Sequence, residues 1–117
     1  YKLIPRTDAD FVNYSVDVED QMYTVYEYKL AQNYPNPFNP STKINFSLAV
    51  DSRVSLKIFD VLGQEVATLI NGQMSAGSQK VYFDASSLNS GVYFYRIDAS
   101  GADGQKFSSV RKMILTK

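Results

Sequence analysis

The 117-residue chain carries 12 Lys and Arg against 12 Asp and Glu, and it contains no histidine, cysteine or tryptophan. Without imidazoles or thiols it lacks the commonest general base, the usual transition-metal ligands, thiol nucleophiles and any disulfide framework. A hydrophobic content of 44% fits one globular domain rather than a disordered chain, and no apolar run approaches the about 20 residues of a membrane helix.

The chain opens at Tyr1 without Met or a signal-peptide pattern, which suggests a piece of a longer protein. Val12, Tyr14, Val16 and Val18 alternate with Asn13, Ser15 and Asp17, the period of a half-buried strand. Asp20 and Gln21 form a turn, and a second alternating run follows from Met22 to Leu30, so a hairpin is predicted. A lone hairpin is marginal in water. Residues 1–28 are therefore read as an upstream segment, either a linker or an extra hairpin that ends a preceding domain. The acids of this half (Asp8, Asp10, Asp17, Glu19, Asp20, Glu27) contrast with the end of the chain, where Lys106, Arg111, Lys112 and Lys117 follow Gly104 with no acid. A solvated strand face is the simpler account of the basic end.

Asn33 to Thr42 reads Asn-Tyr-Pro-Asn-Pro-Phe-Asn-Pro-Ser-Thr and holds three of the four prolines, Pro35, Pro37 and Pro40. Each proline fixes φ, removes a donor and steers the preceding residue away from the helical region. No helix or central strand can run through the segment. Its asparagines can bond back onto the backbone, and Tyr34 and Phe38 give it apolar surface to bury. The prediction is a stiff arm leading into a folded module.

From Lys43 the alternation is regular. Ile44, Phe46 and Leu48 face one way, and so do Val54, Leu56 and Ile58 after the Asp51-Ser52 turn. Asp60-Val-Leu-Gly63 is a turn whose Gly63 supplies a positive φ. A strand from Glu65 to Ile70 follows, with Asn71-Gly72 and Ala76-Gly77-Ser78 as loop punctuation. Val81 and Phe83 mark another strand, Val92 to Ala99 the most aromatic one, and Lys106 to Leu115 the last. No window has helical periodicity, and short strands separated by turns predict an all-β sandwich or barrel. Leu88-Asn-Ser-Gly91-Val-Tyr93 has the layout of a tyrosine corner, which narrows the prediction to an immunoglobulin-like antiparallel β-sandwich of about seven strands. Tyr93, Tyr95 and Ile97 then point inward. Phe94 points outward and needs a cover, for which the proline-rich arm is the candidate.

Chemistry is sparse. Ser86, Ser87, Ser90 and Ser100 have no imidazole partner, and no phosphate-cradling glycine motif occurs. Asp60 with Glu65 could form an acid–base pair but reads better as two solvated carboxylates. Asp8, Asp10 and Asp17-Val-Glu19-Asp20 lack the spacing of a calcium loop. Exposed Tyr23, Tyr82 or Phe94 would suit a sugar platform, though a partly covered sheet face is the simpler reading. Aromatic and basic residues do not interleave as nucleic-acid binding requires. No enzyme activity, cofactor or nucleic-acid partner is expected.

Four stretches, covering about residues 29–117, carry a resemblance: Leu30-Ala-Gln-Asn-Tyr-Pro-Asn-Pro-Phe-Asn-Pro-Ser-Thr42, Val54-Ser-Leu-Lys-Ile-Phe-Asp-Val-Leu-Gly-Gln-Glu-Val66, Leu88-Asn-Ser-Gly-Val-Tyr-Phe-Tyr-Arg96 and Val110-Arg-Lys-Met-Ile-Leu-Thr-Lys117. In this order they resemble the immunoglobulin-like, type A C-terminal sorting domains of type IX secretion system cargo. The resemblance implies a non-catalytic address label that the outer-membrane translocon reads as folded structure. A sortase-like peptidase then usually removes it, and the cargo is released or joined to anionic surface polysaccharide, outside the cell or on its surface. Pro35, Pro37, Phe38, Pro40, Gly63, Gly91 and Tyr93 are the fold-defining candidates. Lys112 and Lys117 in the final strand are the candidates for meeting acidic receptor groups, and the edges of the sandwich offer unpaired backbone groups for strand addition. Cleavage is expected within residues 1–28 or just before the arm. An accessory carbohydrate-binding or surface-attachment module and a structural spacer are the alternatives.

Overall fold

The computed structural model describes residues 26–117, so the hairpin expected over residues 11–30 lies almost wholly outside the described residues. Seven strands follow in order: β1 (Lys29–Leu30), β2 (Ser41–Leu48), β3 (Ser52–Phe59), β4 (Glu65–Met74), β5 (Gly77–Asp84), β6 (Gly91–Gly101) and β7 (Lys106–Leu115). They form two antiparallel sheets, ordered β1-β2-β5 and β4-β3-β6-β7. No helix interrupts them among the described residues. The immunoglobulin-like sandwich expected from the alternation is the observed architecture.

Period-two alternation builds the core. Ile44, Phe46 and Leu48 from β2 meet Val54, Leu56 and Ile58 from β3, with Tyr95, Ile97 and Ala99 from β6 and Met113 and Leu115 from β7. Burying a side chain of this size contributes about 1.5–3 kcal/mol. Tyr93, Tyr95 and Ile97 are buried as predicted, while Val92 and Phe94 are half-exposed on the outer face and Arg96 is exposed.

Three expectations need correction. The strand predicted from Met22 is confined, among the described residues, to Lys29 and Leu30. Asn71 and Gly72 do not end β4, because they pair with Ser55 and Val54 of β3. Two register shifts bend β4 against β3, and an edge strand tolerates glycine and bulges where a central one would not. Phe94 is not covered by the arm. It pairs with Phe59 and Lys112 and borders a shallow trough that Phe59, Val61, Arg96 and Val110 also line.

Candidate recognition site

The proline-rich arm crosses from one sheet to the other. Tyr34 pairs with Lys43 of β2 in the first sheet, and Phe38 pairs with Leu115 of β7 in the second. The three X–Pro bonds of the arm, before Pro35, Pro37 and Pro40, are cis, and all three rings are exposed. The two aromatics part company. Phe38 is 2% exposed and packs at 6.3 Å from Phe83, whereas Tyr34 is 75% exposed. The expectation that both are buried therefore fails for Tyr34: in an extended segment, residues four apart need not share a face once the chain has changed sheets.

Asn33 holds the arm in shape. It is buried, and its Nδ2 donates to the Pro35 carbonyl at 3.1 Å and to Thr42 Oγ1 at 2.9 Å. Thr42 Oγ1 donates to the same carbonyl at 2.9 Å. The Asn33 amide donates to the Tyr95 hydroxyl at 2.8 Å, which itself donates to the Ala31 carbonyl at 2.7 Å. Burial pushes the Tyr95 phenol above its ordinary value, with the Asn33 bond and the Arg111 charge opposing. Arg111 Nε donates to the Leu30 carbonyl at 2.6 Å, and Gln32 Nε2 to the Lys112 carbonyl at 2.7 Å. This side of the sandwich is sewn shut by polar groups between the start of the module and its last strand. Asn33, Tyr95, Gln32 and Arg111 are the positioning residues missing from the sequence-based candidates. The asparagine-in-a-turn pattern was the available signal for Asn33. The other three depend on partners 62 or more positions away, which no local pattern reveals.

The outer edge of β7 is consequently not open along its second half. The Phe38 amide donates to the Ile114 carbonyl at 2.9 Å, the Thr116 amide to the Phe38 carbonyl at 3.0 Å, and the Ile114 amide to Asn36 Oδ1 at 2.9 Å. Along this half, β7 is not one of the edges that offer unpaired backbone groups.

The remaining candidates fall into two groups. Gly63 has φ +82° in the turn that joins β3 to β4, where Asp60 Oδ1 accepts the Leu62 and Gln64 amides at 2.9 Å each. Asp60 is thus a turn cap. Glu65 accepts from the Thr68 hydroxyl at 2.6 Å and pairs with Lys57 at 3.4 Å; Thr68 first, then Lys57, lower its carboxyl. Each of the two acids is thus engaged by its own local partners. Gly91 opens β6 with φ +155°, and the Tyr93 hydroxyl donates to the Asn89 carbonyl at 2.7 Å, the tyrosine corner predicted from the sequence. At the chain's end, the Lys117 amide donates to Ser90 Oγ at 2.9 Å and its Nζ to the Ser86 carbonyl at 2.6 Å. Ser86, first through its hydroxyl, and the Lys117 charge lower the Asp84 carboxyl. Lys112 is exposed and enters neither ion pair recorded among the described residues. Gly91, Tyr93 and Lys117 thus meet at the loop between β5 and β6, while Gly63 and Lys112 stand apart from it. Among the described residues no cluster of acids suits a metal ion; the acids weighed for calcium lie outside them.

The pattern of secretion system C-terminal sorting domains matches residues 32–116, which takes in the arm, both faces of the core and all of β7. The chain belongs to the C-terminal sorting domains of type IX secretion cargo. No curated protein matches it. Among solved structures this sorting domain is similar to dimeric latent PorU from Porphyromonas gingivalis, with a TM-score of 0.61 and 19% identity over 80% of this chain and 10% of that one. It is also similar to CopC from Methylosinus trichosporium OB3b, with a TM-score of 0.53 and 18% identity over 76% of this chain and 93% of that one. At these identities the likeness is one of fold. No helix among the described residues is long and apolar enough to cross a membrane.

Proposed function

We propose that this sorting domain acts as a folded address label, recognised as a body by the type IX translocon and then cut from its cargo by a sortase-like peptidase. The observation that carries the reading is the match over residues 32–116, whose two ends are the segments bonded to each other. Such a signal exists only in the folded chain, because Phe38 and Ile114 are adjacent only there. The exposed cation Lys112 supplies a contact for an acidic receptor group, and Lys117 fixes the loop between β5 and β6. The label needs no cofactor and no catalytic residue. Once cut, the cargo is released or joined to anionic surface polysaccharide.

The test places a reporter protein before the whole chain in a host with the type IX machinery. The reporter is expected outside the cell. Removing Met113–Lys117 strips Met113 and Leu115 from the core and should hold the reporter in the periplasm, and Lys112→Glu should lower export with the fold intact. A reporter that the intact chain leaves in the periplasm overturns the reading. The amino terminus of any residual domain is expected upstream of Glu27, since bonding to the sandwich begins among the described residues with the Glu27 carbonyl and the Tyr28 hydroxyl; a cut inside the arm would contradict this part.

A further inference from the structure

We infer that the outer face of the β1-β2-β5 sheet is a binding surface for acidic polysaccharide. The register aligns three rows across it. Lys43 lies between Tyr34 of the arm and Tyr82 of β5, Asn45 lies opposite Lys80, and Lys29 lies opposite Ser47. Tyr34 and Tyr82 are 75% and 67% exposed, an unusual pair on one face of a sandwich that buries Phe38, Phe46 and Phe83. A shallow trough of about 530 Å³ lies over Lys29, Lys43, Asn45 and Lys80, within the size range of small-ligand clefts.

Charge complementarity selects the occupant. β1 and β2 carry no acid, and β5 carries only Asp84 at its far end, already engaged by Ser86. The three lysines take part in neither ion pair recorded among the described residues. Their ammonium groups suit carboxylate or sulfate groups repeated along a chain. Asn45 offers a neutral donor and acceptor for hydroxyls, and Ser47, whose own hydroxyl donates to the Glu27 carbonyl, offers an acceptor. The tyrosine rings offer flat apolar faces with a polar tip, the complement of a sugar ring's C–H face. Nucleic acid and anionic bilayers fit less well: the chain has no net charge, and holding a protein on an anionic membrane takes a cluster of about four to eight cations. An acidic peptide would want an enclosed pocket for an anchor side chain, whereas this trough is shallow and open. This inference does not rest on export, because the side chains of Lys43, Lys80 and Tyr82 make none of the bonds to β7.

The test is titration calorimetry of the whole chain with oligogalacturonate at low salt. Neutral dextran, single-stranded DNA and vesicles containing phosphatidylserine serve as comparison probes. Saturable binding to oligogalacturonate that weakens with added salt is expected. Lys43→Glu with Lys80→Glu, and separately Tyr82→Ala, should each weaken it about tenfold, while Lys106→Glu on β7 leaves it unchanged. Urea unfolding of each variant checks that these exposed changes leave the fold intact. Absent binding, equal binding of dextran, tighter binding of DNA or vesicles, or indifference to the face variants would each overturn the inference.

Discussion

Replacing Phe38 by alanine separates a structural arm from a linker. Phe38 belongs to the proline-rich segment by sequence but to the core by position, at 2% exposure against Phe83. Truncating a buried phenylalanine costs about 3–5 kcal/mol, combining lost transfer energy with the cavity left behind. A domain of this size has a stability of about 5–15 kcal/mol, so Phe38→Ala should remove about a fifth of it or more. The melting temperature should fall on the order of 20 °C. Urea unfolding followed by tyrosine fluorescence and by far-ultraviolet circular dichroism measures the loss. Tyr34→Ala provides the internal comparison: the same arm, an aromatic four residues away, but exposed, so its effect should stay within about 0.5 kcal/mol. A Phe38→Ala loss below about 1 kcal/mol, or equal losses for the two variants, would refute the arm's place in the core.

Tyr93→Phe removes the bond to the Asn89 carbonyl and should cost about 1 kcal/mol in urea unfolding; Asn89 then keeps its freedom, visible as faster amide exchange in the loop. Gly63→Ala forces a side chain into positive φ and should cost about 1–2 kcal/mol, with no effect on the distant seam. Because burial raises the folded-state pKa of Tyr95, its contribution is fully present below about pH 10 and is lost as pH rises through the higher folded value. Tyr95→Phe should flatten that alkaline loss in pH-dependent unfolding, at the expense of about 1–3 kcal/mol at neutral pH for unpairing the Asn33 amide and the Ala31 carbonyl.

What the sequence made legible follows from how local each cause is. The last strand was bounded at Lys106 and Leu115 because alternation and the Gly101–Gly104 turn are both local, and the structure has the same bounds. Asp60 and Asn33 behave as residues with short polar side chains do in turns, bonding backbone groups close by in the sequence. Asn71-Gly72 misled because a Gly pair signal carries no information about a neighbouring strand. β3 supplies partners for both residues, and pairing outweighs a weak propensity. The seam was illegible for the same reason on a larger scale. Tyr95 reads as one more inward aromatic until Ala31 and the Asn33 amide are placed against its hydroxyl.

The covered edge of β7 changes which surfaces a receptor can use. Strand addition needs a row of unpaired amides and carbonyls, and the arm occupies that row beside Ile114 and Thr116. Among the described residues the other outer strands are the two-residue β1, β4 and β5. β4 is bent by two register shifts against β3, the device by which edges are blunted against pairing. A partner that grips the finishing strand must therefore either displace the arm, giving up the burial of Phe38, or read side chains such as Lys112 on the sheet face. Displacement carries a penalty of several kcal/mol from Phe38 alone. Face recognition carries none, because it leaves Phe38 buried and the cross-sheet arm in place.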